Sequence, residues 1–318
     1  MVSPELHYSE YVDEYLMLYR RGVNRYGGHL SEICRYVRVN PDMRSVPGGA
    51  TASMATPAAG WNTLSLMTTG PGHTARDLCA AADEALVEAA FCTGEFAGAE
   101  RLFGEVQAVA ARDSDREAEA LAVGGLGMTH HYRNIAALVG GQVPADADIV
   151  AEDDLMRRAL ALSREAGDTA GTARGLFGVG LVLQVLRRDW DAAMWYFWQA
   201  FGLAEALEES GDLYGRSEIH RHVGFYYLVE DVRPREAVRQ LRHSLALRER
   251  LGDSRRIPSA LVALGEAELA AGNFPRALDL LRRAVPLAHE AGLLPWRIAD
   301  AEQNLRDAEA AAAEGRLG

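Results

Sequence analysis

Two histidine clusters contain the residue types that carry most acid–base and metal chemistry in proteins. His130 and His131 form one cluster, and His220 and His222 form the other, with Arg221 between them. In a helix, neighbours one or two positions apart point in different directions, so neither cluster can hold one metal ion by itself. We therefore predict no metal site, and we interpret His220 as a packed structural residue.

Lysine is missing from the whole sequence, and all 33 basic residues are arginine. Without a lysine amine, Schiff-base catalysis, covalent pyridoxal phosphate and a P-loop are excluded. The motifs G-x-S-x-G, C-x-x-C and H-E-x-x-H do not occur either. We predict no catalytic residue and no cofactor, and keep His130 with Glu218 as the one acid–base pair that the sequence leaves open.

The overall composition describes an acidic protein with a large apolar core. The 318 residues carry a net charge of −12, and 48% of them are apolar. The negative charge disfavours nucleic-acid binding, no apolar run is long enough to cross a bilayer, and the first residues do not resemble a secretory signal. The three cysteines are too few for a disulfide framework. These features predict a cytoplasmic protein, and the heavy use of Arg, Ala and Gly is typical of bacteria with GC-rich genomes.

Glycine recurs at fixed offsets, which indicates an internal repeat. A Gly-Asp pair begins at Gly167, Gly211 and Gly252, positions that are 44 and 41 residues apart. Twelve residues after the Asp of each pair comes another glycine, at Gly180, Gly224 and Gly265. A glycine inside a helix costs about 1 kcal/mol relative to alanine, so its recurrence implies a packing reason.

The second half of each unit repeats as well. One unit reads Trp190, Ala193, Phe197 and Ala200, and another reads Phe274, Ala277, Leu281 and Ala284. An aromatic residue opens the second helix, small residues admit the neighbouring helices, and a large apolar residue fills the gap between them. The pattern predicts a series of helix–turn–helix units.

Leu264-Gly265, Gly272-Asn273-Phe274 and Ala277 with Ala284 closely match the tetratricopeptide repeat motif. The chain therefore resembles the tetratricopeptide repeat family, in the long-period form found in bacterial regulatory proteins. The third and fourth units depart from the motif, since their glycine comes one residue early and predicts a longer turn. The second unit has Glu152 where the motif has alanine, and an insertion at 140–148. The resemblance implies an all-α solenoid of about five repeats.

Four segments follow from this pattern. We predict an N-terminal helical segment at 1–40, a flexible or draping linker at 41–73, the solenoid at 74–293, and a capping helix with a tail at 294–318. Within the solenoid, the predicted helix pairs are 74–93 with 95–112, 115–138 with 149–166, 168–187 with 190–210, 212–231 with 234–251 and 254–271 with 274–291.

The first helix of each pair lines the concave face of such a solenoid, and this face is our candidate binding groove. Its predicted residues are His130, Arg174, Phe177, Gln184, Glu218, Arg221 and Phe225. Arginines beside phenylalanines suit an anionic ligand or an acidic peptide.

Trp195 and Trp198 form a second candidate surface, because the repeat places Phe197 in the core and these two residues on the outside. Exposed tryptophans suggest an interface, which the N-terminal helix or a second copy of the chain could cover. A homodimer is therefore a further hypothesis.

The sequence favours a non-catalytic, regulatory interaction or sensor protein. Its groove would bind a peptide, a protein partner or a small anionic effector. The alternative is an enzyme of specialised metabolism, in which the N-terminal segment closes the groove over the His, Glu and Arg side chains.

Overall fold

The computed structural model of the protein describes residues 74–206 and 212–314, and these ranges contain eleven α-helices and no strand. The helices are α1 (Ala75–Glu88), α2 (Ala97–Asp113), α3 (Arg116–Val139), α4 (Asp146–Ala166), α5 (Thr169–Leu181), α6 (Trp190–Ala206), α7 (Leu213–Val229), α8 (Pro234–Leu251), α9 (Ile257–Ala270), α10 (Phe274–Glu290) and α11 (Pro295–Glu314). Short π-helical segments, Ala89–Thr93 and Val182–Leu186, continue α1 and α5. The predicted N-terminal helical segment, the linker and the last four residues lie outside the described residues.

Consecutive helices pack against each other as five helix–turn–helix pairs, and α11 packs on the last pair. The predicted all-α solenoid with a C-terminal capping helix is therefore confirmed. Two boundary predictions were wrong by three residues, because α9 begins at Ile257 and not at 254, and α4 begins at Asp146 and not at 149. Asp146 and Asp148 lie in its first turn, where negative charge complements the helix dipole.

Side chains at the helix ends explain where several helices begin. Thr74 and Asp77 form a reciprocal capping box at α1. Asp115 accepts a hydrogen bond from the Ala118 amide at α3, and Asp212 does the same for the Gly215 amide at α7. Each cap satisfies a backbone donor that the first helical turn leaves without a partner.

The recurring glycines lie where the two helices of a pair come closest. A methyl group on Gly180 would lie 2.6 Å from the ring of Phe197, and one on Gly265 would lie 2.8 Å from Leu281. Both distances are far inside van der Waals contact, so only glycine fits. The packing reason that the glycine spacing implied is thus the approach of the first helix to the large residue of the second.

The longer turn predicted for the fourth pair is present, whereas the connection of the third pair has three residues, as in the first and fifth pairs. In the first and fifth pairs, Gly94 and Gly272 adopt the left-handed conformation between the two helices. In the third and fourth pairs, Arg188 and Val232 adopt positive φ angles of 56° and 46° instead. The extra residue is accommodated by the π-helical segment in the third pair and by a four-residue connection in the fourth.

The two ends of the solenoid touch each other. The Leu294 amide, just before α11, donates a hydrogen bond of 2.7 Å to the Phe91 carbonyl at the end of α1. Phe91 and Leu293 also belong to one apolar cluster that spans the two ends. The five pairs therefore curve far enough to surround the inner surface.

Gly180→Ala should lower the free energy of unfolding by about 1–3 kcal/mol, because the added methyl overlaps the Phe197 ring. The matched control is Gly202→Ala at an exposed position of α6, where no atom lies within 4 Å of the new methyl group. That variant should be neutral or more stable by up to about 1 kcal/mol. Urea unfolding of both variants checks this, and equal effects would contradict the packing role of Gly180.

Candidate functional site

The first helices of the pairs, the A helices, face a common interior. The hydroxyl groups of Tyr132 on α3 and Tyr214 on α7 lie 2.8 Å apart, although the third pair separates these helices in sequence. Arg256, at the start of α9, lies with its guanidinium 3.7 Å from the centre of the Tyr214 ring. Burial raises the pKa of Tyr214, so its hydroxyl stays protonated. One of the two hydroxyl groups donates its proton to the other, so the proton of the accepting hydroxyl is not part of this hydrogen bond.

Arg221 and Phe225 lie together at this inner surface. The Arg221 guanidinium is 4.8 Å from the centre of the Phe225 ring, as expected for residues four apart on α7. Burial lowers the pKa of Arg221, but a guanidinium remains charged at neutral pH. Its Nε atom is buried and has no hydrogen-bond partner among the described residues. Glu266 and Asp300 on neighbouring helices act on this guanidinium through their charge and oppose the fall in its pKa.

Gln184 and Phe177 were predicted to line the groove, but both are buried beneath it. Gln184 Oε1 pairs with Nδ1 of His222, and its Nε2 atom has no partner among the described residues. The ring of Phe177 packs 5.3 Å from the ring of His222. Burial, together with the charge of Arg221, lowers the pKa of His222 well below its ordinary value, so the imidazole is neutral. His222, which the sequence reasoning missed, adjoins Arg221 and is one helical turn from Phe225.

Two predicted groove residues, Arg174 and Glu218, form ion pairs with other residues of the protein. Arg174 forms an ion pair of 2.7 Å with Asp212, and a second one of 3.6 Å with Asp168. Glu218 is buried and pairs with Arg248. Neither residue is therefore free to bind a ligand as the sequence suggested, because charge partners on neighbouring helices cannot be predicted from repeat spacing.

His130 is partly exposed on α3, and no contact within the described ranges joins it to Glu218. The carboxylate of Glu218 is held by Arg248, so it lacks the freedom of a general base. The acid–base pair that the sequence left open is thus not assembled by these residues.

Arg248 is the most deeply buried arginine among the described residues, with 2% of its surface exposed. Besides Glu218, its Nη1 donates hydrogen bonds of 2.8 Å to the Ser259 hydroxyl and to the Arg256 carbonyl. Burial lowers the pKa of Arg248. The network joins α7, α8 and the start of α9, and its partners supply the hydrogen bonds that a buried guanidinium requires.

Glu152, the departure from the repeat motif, has a structural explanation. Its side chain is 0% exposed. One carboxylate oxygen lies 2.8 Å from Nδ1 of His131, and the other accepts a hydrogen bond of 2.8 Å from Asn134. In the second pair, a polar contact between α3 and α4 thus replaces the small residue of the motif.

Asp83 on α1 faces charges from other helices across the interior. The protein around it removes water from the carboxylate and raises its pKa from 3.8 to about 6, although Arg256 and Arg174 oppose the rise. The side chain remains accessible to water. Water therefore reaches the Asp83 carboxylate, but it solvates the negative charge less well than bulk water does.

The outer surface carries the two tryptophans where the repeat placed them. Trp195 is 60% exposed and Trp198 is 43% exposed on α6. Trp195 packs edge-on against Tyr196, with ring centres 4.8 Å apart, and Trp198 packs against Phe201.

The described residues contain no cluster of metal ligands and one apolar stretch of membrane-spanning length. No group of three or more His, Cys, Asp or Glu side chains in residues 74–206 and 212–314 could hold a metal ion. One described stretch, Thr169–Leu186, is long and apolar enough to cross a membrane, but 67% of it is buried inside the fold. A core helix of a globular protein has the same properties.

Comparison with known proteins assigns no family to the chain. No protein-family model matches the chain, and no curated protein sequence matches it. Among solved structures, the crystal structure of BtubC (BKLC) from P. vanneervenii matches at 19% identity with a TM-score of 0.46. The match covers 69% of this chain and 82% of that chain. At these values, no property of BtubC is transferred to this protein.

Arg248→Met should lower the free energy of unfolding by about 3–5 kcal/mol, because Glu218 then stays buried without its counter-charge. Adding Glu218→Gln to this variant should recover part of the loss. The control is Arg282→Met, which removes an exposed pair with Glu309 and should cost less than about 1 kcal/mol. Denaturant unfolding measures all three, and equal losses at Arg248 and Arg282 would contradict the buried network.

Asp83→Asn should be more stable than the unmodified protein above about pH 6, with no difference below about pH 4. Because the pKa is raised in the folded state, the folded protein binds the proton more tightly, and Asp83 costs stability as pH rises through this window. Thermal unfolding midpoints from pH 4 to 8 check this. Asp279→Asn, at an exposed position on α10, is the control, and parallel curves for both variants would contradict the interpretation of Asp83.

Proposed function

We propose that this protein is a non-catalytic, regulatory interaction or sensor protein whose inner surface binds a small anionic effector or an acidic peptide segment. We further propose that its helix pairs are repeats of the tetratricopeptide type and that it acts in the bacterial cytoplasm. The observation that carries the proposal is Arg221, whose buried Nε donor has no partner among the described residues.

A buried donor without an acceptor costs about 1–3 kcal/mol, which makes a buried Nε–H group without a partner unusual in a finished fold. A carboxylate or phosphate oxygen is the acceptor that an arginine fork matches best. The ring of Phe225 packs against one face of the Arg221 guanidinium. We propose that the N–H groups at the edge of the guanidinium bind the ligand. These features together support an anion as the missing partner.

Gln184 carries a second buried donor, in the π-helical segment that continues α5. Its Nε2 atom is buried and unpaired within the described part of the chain, while its Oε1 is fixed by His222, the neighbour of Arg221 in sequence. An anion bound by Arg221 with a further acceptor atom would satisfy both donors. A ligand with at least two acceptor oxygens, such as a carboxylate or a phosphate, fits this arrangement.

A small effector suits the inner surface better than a folded partner does, because the ends of the solenoid meet and surround this surface. A protein partner or a second copy of the chain would instead use the outer surface at Trp195 and Trp198. The enzyme alternative has less support, since Arg248 holds the carboxylate of Glu218.

Arg221→Gln should weaken anion binding by about tenfold or more, since one charge-assisted hydrogen bond contributes roughly 1.5–3 kcal/mol. The probes are phosphate, citrate, benzoate and a short polyglutamate peptide, and the readout is the thermal shift across a concentration series. Arg101→Gln, at an exposed pair with Glu105 on α2, is the matched control and should bind like the unmodified protein. If Arg221→Gln binds each probe as well as the control does, the site at Arg221 is wrong.

A further inference from the structure

The contact between the two ends of the solenoid, which we call the seam, joins α1 to the turns before α9 and α11. In most solenoids each repeat contacts only its neighbours. Here Arg255 bonds to Glu84 across 171 positions of sequence, and Arg297 bonds to Ala90 across 207 positions. The seam therefore converts an open stack into a closed one.

Backbone groups at the helix ends explain the central part of the seam. The last carbonyl groups of a helix have no partner inside it. At the end of α1, the Ala90 carbonyl accepts hydrogen bonds of 3.1 and 2.9 Å from Nε and Nη2 of Arg297. The Phe91 carbonyl accepts one from the Leu294 amide. The positive charge of Arg297 also suits the negative end of the helix dipole.

Two ion pairs of Arg255, one with Glu84 and one of 3.4 Å with Glu88, form the outer part of the seam. Arg255 donates two hydrogen bonds, of 2.7 and 2.9 Å, to the two carboxylate oxygens of Glu84. Asp253 holds the same guanidinium from its own turn at 3.0 Å. Glu84 is 65% exposed, so water and salt screen this pair.

The seam is weaker than the other interfaces of the solenoid. Consecutive helices pack along their lengths, whereas α1 and α11 meet only near their ends. The apolar part of the seam is small and centres on Phe91 and Leu293. Separating the two ends breaks fewer contacts than separating any two consecutive pairs, so the seam is where the inner surface opens most easily.

We propose that the seam is a gate that controls access of the anionic effector to Arg221 and Gln184. This inference rests on the proposed function for the identity of the site, but not for the movement itself. When the Arg255–Glu84 pair and the bonds to the α1 carbonyls break, the first helix pair separates from α11 and the interior opens. Closure restores these bonds around the bound anion.

Chemical modification of Arg221 by phenylglyoxal tests the gate without any knowledge of the effector. Phenylglyoxal reacts with accessible guanidinium groups, and the chain has no lysine to compete for it. Peptide mass spectrometry of the full-length protein gives the modification rate at Arg221. The rate at the exposed Arg101 serves as the internal reference.

Glu84→Gln removes the shorter of the two seam ion pairs at an exposed position and leaves every arginine in place. It should raise the modification rate at Arg221 about fivefold relative to Arg101, in line with the strength of a partly exposed ion pair. Arg255→Gln removes both seam ion pairs and should give at least this increase, and the double variant should add little to Arg255→Gln. Glu309→Gln, which removes an exposed pair with Arg282 away from the seam, should change nothing.

Two results would overturn the gate. One is an unchanged Arg221 rate in both seam variants while circular dichroism shows a folded protein. The other is an equal increase in the Glu309→Gln control. If the Arg221 rate depends on the seam but none of the anionic probes binds, the gate stands and the proposed function fails. The two proposals are therefore separated by independent measurements.

Discussion

Close approach between the two helices of a pair is the constraint on which the rest of the structure depends. Where Gly180 faces Phe197 or Gly265 faces Leu281, there is no room for a methyl group. Helices in such contact form compact pairs, and successive pairs stack with a strong curvature. After five pairs the curvature brings the start of α11 to the end of α1, where Leu294 and Arg297 satisfy the carbonyls of Phe91 and Ala90. The closed shape is therefore a consequence of small residues at fixed positions.

Closure places the polar side chains of the A helices in an interior where water solvates charge poorly. Most of these side chains form ion pairs or hydrogen bonds, because a polar group removed from water is costly without such a partner. Arg248 pairs with Glu218, Arg174 with Asp212, and Glu152 contacts His131 and Asn134. The Nε atom of Arg221 and the Nε2 atom of Gln184 are among the few buried side-chain atoms without a partner in the described part of the chain, and the proposed anion site rests on them.

The sequence predicted the fold well because the fold is local. The glycine offsets and the recurring Phe197 and Leu281 positions predicted the helix pairs, and helical spacing predicted that Arg221 lies against Phe225 and that Trp195 and Trp198 face outward. The site was harder to predict, since its composition depends on which residues of different helices meet. The repeat period contains no information on the pairing of Arg174 with Asp212 or of Glu218 with Arg248. Contacts between the chain's two ends, such as Arg297 with Ala90, have no local signal at all.

The binding of an anion at Arg221 is the central claim, and a crystal structure of the protein purified from its own host tests it most directly. We expect electron density for a carboxylate- or phosphate-bearing molecule within hydrogen-bond distance of Arg221 Nε and Gln184 Nε2. If both donors instead bond to groups of the chain itself, the inner surface has no vacancy for an anion and the claim is contradicted.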